Sequence, residues 1–217
     1  MIERSAPPTA AAALLTAARE QLLATGYSGL STRKVAEGAQ VALSQVHYHF
    51  GSKSGLVLAL LRAENDRRLT RQASMYGQDT PLWRRYEQAC DFLDDDLESG
   101  FVRVLQEMIA AGWSDPEIAA AARDLLRGWY ALLTQVSAEA AEQLGGLGPF
   151  SPQEAAALLG NVFIGSEALL LLGFERQDLP IRSALRRLGD VLREAEQAAS
   201  TARAAHGRGE ADARTRA

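Results

Sequence analysis

Apolar residues recur every three or four positions along nearly the whole of this chain, and no alternating apolar–polar run survives more than a few residues. That spacing excludes a sheet and predicts an all-α protein. The periodic segments are separated by breakers: Gly26, the turn 39–41, Gly51-Ser52, residues 77–81, Gly100, Ser114-Asp115-Pro116, the glycine-rich loop 145–149 and residues 177–180. Helices are expected at about 9–24, 31–38, a third ending near 48, 53–75, 82–97, 101–112, 116–143, 152–173 and 181–199. Leu15, Ala18 and Leu22 form the stripe of the first, and Ser31 is placed to cap the second. The tail 200–217, rich in Ala, Arg and Gly, is expected to be disordered.

With 217 residues, 47% of them apolar, the chain can bury a sizeable core. The lone Cys90 excludes an internal disulfide framework and cysteine-rich zinc sites, and suits a reducing cytoplasm. The N-terminus lacks the long apolar run of a signal peptide. Residues 157–174 are apolar, with unbroken leucine from Leu169 to Leu172, but Asn161, Ser166 and Glu167 lie in their middle. A charge at a bilayer centre is costly, so the expectation is a buried helix of a soluble protein and no membrane partner. The net charge of −4 is unevenly spread. Residues 1–71 hold nine Lys/Arg against five Asp/Glu, a net +4, and the remainder hold fourteen against twenty-two, a net −8. A basic head on an acidic body suggests one module that meets a polyanion and one that avoids it.

The stretch 30–56, LSTRKVAEGAQVALSQVHYHFGSKSGL, is the most informative. Two short helices joined by a tight turn make a helix-turn-helix, whose second helix enters the major groove of DNA. Val35, Ala36, Val41 and Val46 are sized to pack the two helices together, and Phe50 and Leu56 are core. Around them lie Ser31, Thr32, Arg33, Ser44, Gln45, His47, Tyr48, His49 and Lys53, more donors than a core helix needs. STRKVAEG at 31–38 and QVHYHFGSKSGL at 45–56 resemble the two halves of the TetR-family DNA-binding signature. In motif the resemblance covers roughly the first quarter of the chain; beyond it only length and helical character agree.

That resemblance implies roles for matching positions. Ser31 and Thr32 would bond phosphate at a helix start, and Arg33 would reach a guanine or a phosphate. Ser44 and Gln45 would face base edges, Gln45 being able to pair bidentately with adenine. His47, Tyr48 and His49 would clamp the backbone, and Lys53 would bind phosphate. Ala42 stands where many relatives have a capping Ser or Thr, and His47 where tyrosine is commonest. His47 and His49, at i and i+2, lie on different helix faces, so no metal site or cofactor is expected. Lys34 reads as peripheral, and Arg62, Arg67, Arg68 and Arg71 as an exposed helix face.

The resemblance further implies a DNA-binding domain over 1–52, with the helix from about 53 as connector, and a helical-bundle ligand-binding and dimerisation domain over 53–199. The segment 152–173 is apolar over most of its circumference, which requires burial on both sides. Leu158, Val162 and Leu169 there, with Ile181, Leu185, Leu188 and Leu192 after it, are the expected dimer interface. Gly160 and Gly165 would permit close approach. A two-fold dimer would read an inverted-repeat operator. Trp113, Trp129 and Phe163 are the candidates for binding a small-molecule effector, and Asp94, Asp95 and Asp96 form either a solvated face or a lure for a cation. The expected function is a cytoplasmic repressor released from its operator by that effector. A ligand-independent or activating regulator is the alternative; a small all-α enzyme is a more distant one, since Glu107 and Glu167 sit in no catalytic motif.

Overall fold

The computed structural model describes residues 9–76, 80–174 and 177–215. Among them the chain forms nine helices and no strand: α1 (Ala10–Gly29), α2 (Thr32–Gly38), α3 (Leu43–Phe50), α4 (Lys53–Tyr76), α5 (Leu82–Glu98), α6 (Phe101–Gly112), α7 (Pro116–Leu144), α8 (Pro152–Leu171) and α9 (Ile181–Thr215). Each expected helix is present. The tail is the main difference: residues 200–215 continue α9 instead of lying disordered. Its Ala and Arg residues carry high helix propensity, and the preceding turns of α9 have already met the nucleation cost.

The chain divides into two compact units. The first comprises the described residues up to Thr70 together with Asp96–Arg127, and the second Arg71–Asp95 with Gly128 onward. In the first, α1, α2, α3 and α6 pack together around Leu14, Leu22, Val35, Val46, Leu56, Phe101, Met108 and Ile118, all within a few per cent of complete burial. The helix ends are set by local chemistry. Thr9 caps α1 by accepting from the Ala12 N–H at 3.3 Å. Gly26 breaks α1 as its sequence position suggests, with φ 69° and ψ 177°, and the last turn resumes beyond it. Asp115 starts α7 by accepting from the N–H groups of Glu117 and Ile118 at 3.0 and 3.3 Å.

In the second unit, Ser151 and Glu154 bond reciprocally as a capping box at the start of α8, with Pro152 in the first turn. The Glu196 carboxylate on α9 accepts from the N–H groups of Leu82 and Trp83, at 3.0 and 2.9 Å, and so caps α5 from another element. Gly160 is close-packed within its own chain: a Cβ there would lie 2.3 Å from the Tyr130 ring, whereas at Gly165 it would meet nothing.

The acidic run is only partly a solvated face: Asp95 is exposed, Asp94 half-buried and Asp96 buried, and each has an arginine partner. Asp94 pairs with Arg182 at 2.7 Å, Asp95 with Arg71 at 4.0 Å, and Asp96, 4% exposed, with Arg68 at 2.7 Å. The same contacts remove Arg68 and Arg71 from the expected exposed face; their guanidinium groups also stack on Phe101 and Phe92, at 4.0 and 4.1 Å. The side chains of Arg67 and His206 lie outside what the structure describes.

Candidate nucleic-acid interface

The turn joining α2 to α3 is built by the backbone. After the α2 C-cap Ala39, Gln40 takes the left-handed conformation at φ 56°, the single non-glycine residue to do so among the described residues. The Gln40 N–H donates to the Glu37 carbonyl and the Val41 N–H to the Ala36 carbonyl, both at 3.0 Å. This is a Schellman closure, in which glycine is the usual occupant of the left-handed position. Val41 then packs on the core, and Ala42, the α3 N-cap, offers no side-chain bond.

Successive side chains of a helix point about 100° apart, which sorts α3 into two faces. Leu43, Val46 and Phe50 turn to the core, with Val46 fully buried. Ser44, Gln45, His47, Tyr48 and His49 cover the rest, all exposed except the half-buried Gln45. Tyr48 is 80% exposed and lies edge-on to His49 with ring centroids 4.9 Å apart. Among the described residues, the side chains of Arg33, Ser44 and Gln45 make no hydrogen bond or ion pair with the rest of the chain. His47 Nδ1 lies 3.1 Å from the Gly51 carbonyl, an acceptor, so Nδ1 is the donor of that bond, and the side chain is exposed. Ser31 flanks α2 as expected, but its hydroxyl makes no cap bond, and its N–H donates to Gln21 Oε1 at 3.1 Å. The hydroxyl alone is therefore left for an outside partner.

Gly51, at φ 72°, ends α3, and Ser52 caps α4 by accepting from the Gly55 N–H at 2.9 Å. A Cβ at Gly55 would lie 2.0 Å from the Phe50 carbonyl oxygen, so the first turn of α4 can pass the end of α3 only with glycine there. Lys53 is half-buried; its ammonium donates to the Ser28 carbonyl at 3.5 Å and sits 4.6 Å from the centre of the Tyr27 ring. Partial burial lowers its pKa from the usual lysine value. Tyr27 is a site residue that spacing and motif do not single out. Its one signal in the sequence is an aromatic residue beside the helix-breaking Gly26.

The effector candidates fall in different units. Trp113, at the C-cap of α6 in the first unit, is 83% exposed, because α6 stops just before it and α7 turns away after Ser114-Asp115. Trp129 and Phe163 belong to the second unit: Trp129 is half-buried against Tyr130 at 5.3 Å, and Phe163, 8% exposed, packs edge-on to Tyr86 at 6.1 Å. A cavity of about 310 Å³ in that unit is lined instead by Leu170, Phe174, Leu179, Ile181, Arg182 and Arg186, where α8 gives way to α9. Cys90 is buried beside Tyr86; burial pushes its thiol up to about 11, so it is protonated near neutral pH and is no ready nucleophile.

The expected dimer residues divide in two. Ile181 and Leu185, 8% and 3% exposed, are buried in their own chain, as is Gly189, whereas Leu188 and Val191 are 44% and 61% exposed. The two groups are about a quarter turn apart on α9, a distinction that the i, i+4, i+7 spacing alone blurs. Leu192 is half-buried between them. On α8 the buried side carries Ala156, Gly160, Phe163, Ser166 and Glu167, and the opposite side carries Leu158 (53% exposed), Val162 (43%), Gly165, Leu169 and Leu172 (76%). α8 therefore buries Glu167 while Leu158, Val162, Leu171 and the C-cap Leu172 stay exposed. It is also long and apolar enough to cross a membrane by length and composition, and only 22% of that stretch is buried in the chain.

Residues 14–60 match the model described as bacterial regulatory proteins, tetR family. The HTH-type transcriptional regulator UidR of Escherichia coli is 22% identical over 175 residues, 76% of this chain and 82% of UidR. A transcriptional regulator of the TetR family from Agrobacterium tumefaciens superposes with a TM-score of 0.70 at 16% identity, covering 86% of this chain and 97% of the other. A Saccharomonospora viridis protein solved in complex with choline superposes with a TM-score of 0.68 at 19% identity, covering 85% and 95%. The match over residues 14–60 spans α3 and ends within α4.

Proposed function

We propose that this chain, a transcriptional regulator whose residues 14–60 are of the TetR family, is a homodimeric repressor released from an inverted-repeat operator by a small-molecule effector. The carrying observation is the outer face of α3. Ser44 and Gln45 of α3, with Arg33 of α2, present donors and acceptors that nothing within the chain uses, and His47 and Tyr48 of α3 are exposed. Polar groups arrayed on two short helices at the basic end of a chain suit base edges and phosphates in a major groove. Gln45 and Ser44 read bases; Thr32, the Ser31 hydroxyl, His47, Tyr48, His49 and Lys53 hold the backbone.

The exposed apolar side of α8 supports the dimer. Leu158, Val162, Gly165, Leu169 and Leu172, with Leu188 and Val191 of α9, form the face that a second copy covers, and a soluble cytoplasmic protein needs such a cover. An effector is supported more weakly, by the choline found with the S. viridis protein and by a helical body larger than DNA binding requires. The deciding experiment is selection of bound sequences from a random duplex library at stated salt. An enriched inverted repeat is the expected outcome; folded protein that enriches nothing would remove the reading.

A further inference from the structure

Glu107, on α6, is half-buried, and its carboxylate accepts from the Tyr27 N–H at 3.1 Å. The same carboxylate fills the space over Gly26, where a Cβ would lie 2.9 Å from Oε1. Gly26 at φ 69° breaks α1 and frees the N–H of the next residue, so a side chain from another helix caps the break. The turn beyond the break carries the groups that surround Lys53. The Tyr27 ring lies under the Lys53 ammonium at 4.6 Å, the Tyr27 hydroxyl is 3.4 Å from Ser54 Oγ, and the Ser28 carbonyl accepts from Lys53 at 3.5 Å. Ser28 is in the last turn of α1, the partially negative end of the helix dipole. All of these residues belong to the first compact unit.

We infer that Glu107 and Tyr27 are positioning residues for the DNA contact of Lys53: Glu107 holds the break in α1, and the turn beyond it seats the lysine ammonium. The inference rests on the DNA-binding reading above. In this assignment neither residue is itself a DNA contact. Of the three ammonium hydrogens one goes to Ser28 and the others remain for a phosphate, so a lysine that would otherwise sample many rotamers is offered in one orientation.

The test measures binding to a fluorescein-labelled mixed-sequence duplex at low salt, where phosphate contacts dominate, alongside the melting temperature of each variant. Glu107→Ala is expected to weaken binding about fivefold, while Glu107→Gln, which keeps an acceptor for the Tyr27 N–H, restores it to within about twofold. In a Lys53→Ala background, Glu107→Ala is expected to change binding by less than about twofold, because the group it positions is gone. A general loosening of the fold would weaken both backgrounds alike. Full binding by Glu107→Ala, no rescue by glutamine, or an equal loss in both backgrounds overturns the inference and leaves the DNA-binding reading standing. Failure of the unaltered protein to bind the duplex removes that reading, and this inference with it.

Discussion

The two compact units solve opposite problems. The first closes its apolar core and leaves polar groups over: Val46 and Leu56 are fully buried, while Arg33, Ser44 and Gln45 face outward with no partner in the chain. The second pairs several of its charged groups internally, as in Arg186–Asp91 at 2.8 Å and the Glu196 cap, and leaves apolar groups over on α8 and α9. A surplus of donors calls for a partner that offers acceptors and negative charge. A surplus of leucine calls for a partner that offers the same apolar surface. One fold carrying both surpluses is built to meet two different partners at once.

The largest expected effect breaks the apolar side of that contrast. Val162 is 43% exposed in the middle of the outer face of α8. In a two-fold dimer Val162→Asp places a charge in the interface from each copy, and an uncompensated buried charge costs about 3 kcal/mol, or roughly a hundredfold in the dissociation constant for each. Sedimentation velocity should show the monomer at concentrations where the unaltered chain is a dimer, with the melting transition of the first unit unchanged. A variant that sediments as before would show that no second copy covers this face.

Next comes the rigid side of the head. Gly55→Ala forces a methyl to within 2.0 Å of the Phe50 carbonyl, and backbone cannot yield as a side chain tip does. The loss is expected to be about 3 kcal/mol in urea unfolding, since overpacking against fixed groups lies at the severe end of single substitutions. Little loss would mean that α3 and α4 can separate, and that the recognition face is less rigidly held than the contrast requires. Glu196→Ala probes the body in the same way, but more mildly. It strips the cap from the Leu82 and Trp83 N–H groups and should cost about 1–2 kcal/mol by the same measurement, the range of a lost helix cap.

The head was the more legible half, for a physical reason. Its helices are short and its turn, caps and polar face lie within 30–56, so local spacing carries most of the information. Position alone marked Ser31, Gly51 and Ser52 as boundaries. Tyr27 and Glu107 were hidden because their contact joins residues 80 apart in sequence, and no periodicity reports such a pair. In the body, spacing found the helices but not their faces. Ile181 and Leu188 share a stripe by the 3.6-residue rule, yet the first is buried and the second is not, since the rule fixes direction to within about a quarter turn and not which neighbour fills it. The pairing of Asp94, Asp95 and Asp96 with three different arginines was likewise a tertiary fact.

The smallest expected effect sharpens the contrast, because it concerns strain kept in the head where glycine would relieve it. Gln40 holds φ 56° in the turn between α2 and α3. An L-residue in the left-handed region costs roughly 1–2 kcal/mol, and glycine would avoid that cost while adding about 0.5–1 kcal/mol of chain entropy to the unfolded state. Gln40→Gly should therefore stabilise the protein by about 0.5–1 kcal/mol, read as a higher urea midpoint at unchanged slope. Gln40 is exposed, and the Schellman bonds of Gln40 and Val41 are made by backbone alone, so glycine would keep both. If the midpoint rises while duplex binding stays the same, the strain is incidental and the turn needs only its backbone path. If the midpoint rises while binding falls, the Gln40 side chain or the stiffness of its backbone serves the recognition face, and the polar surplus of the head extends beyond α3 into the turn that precedes it.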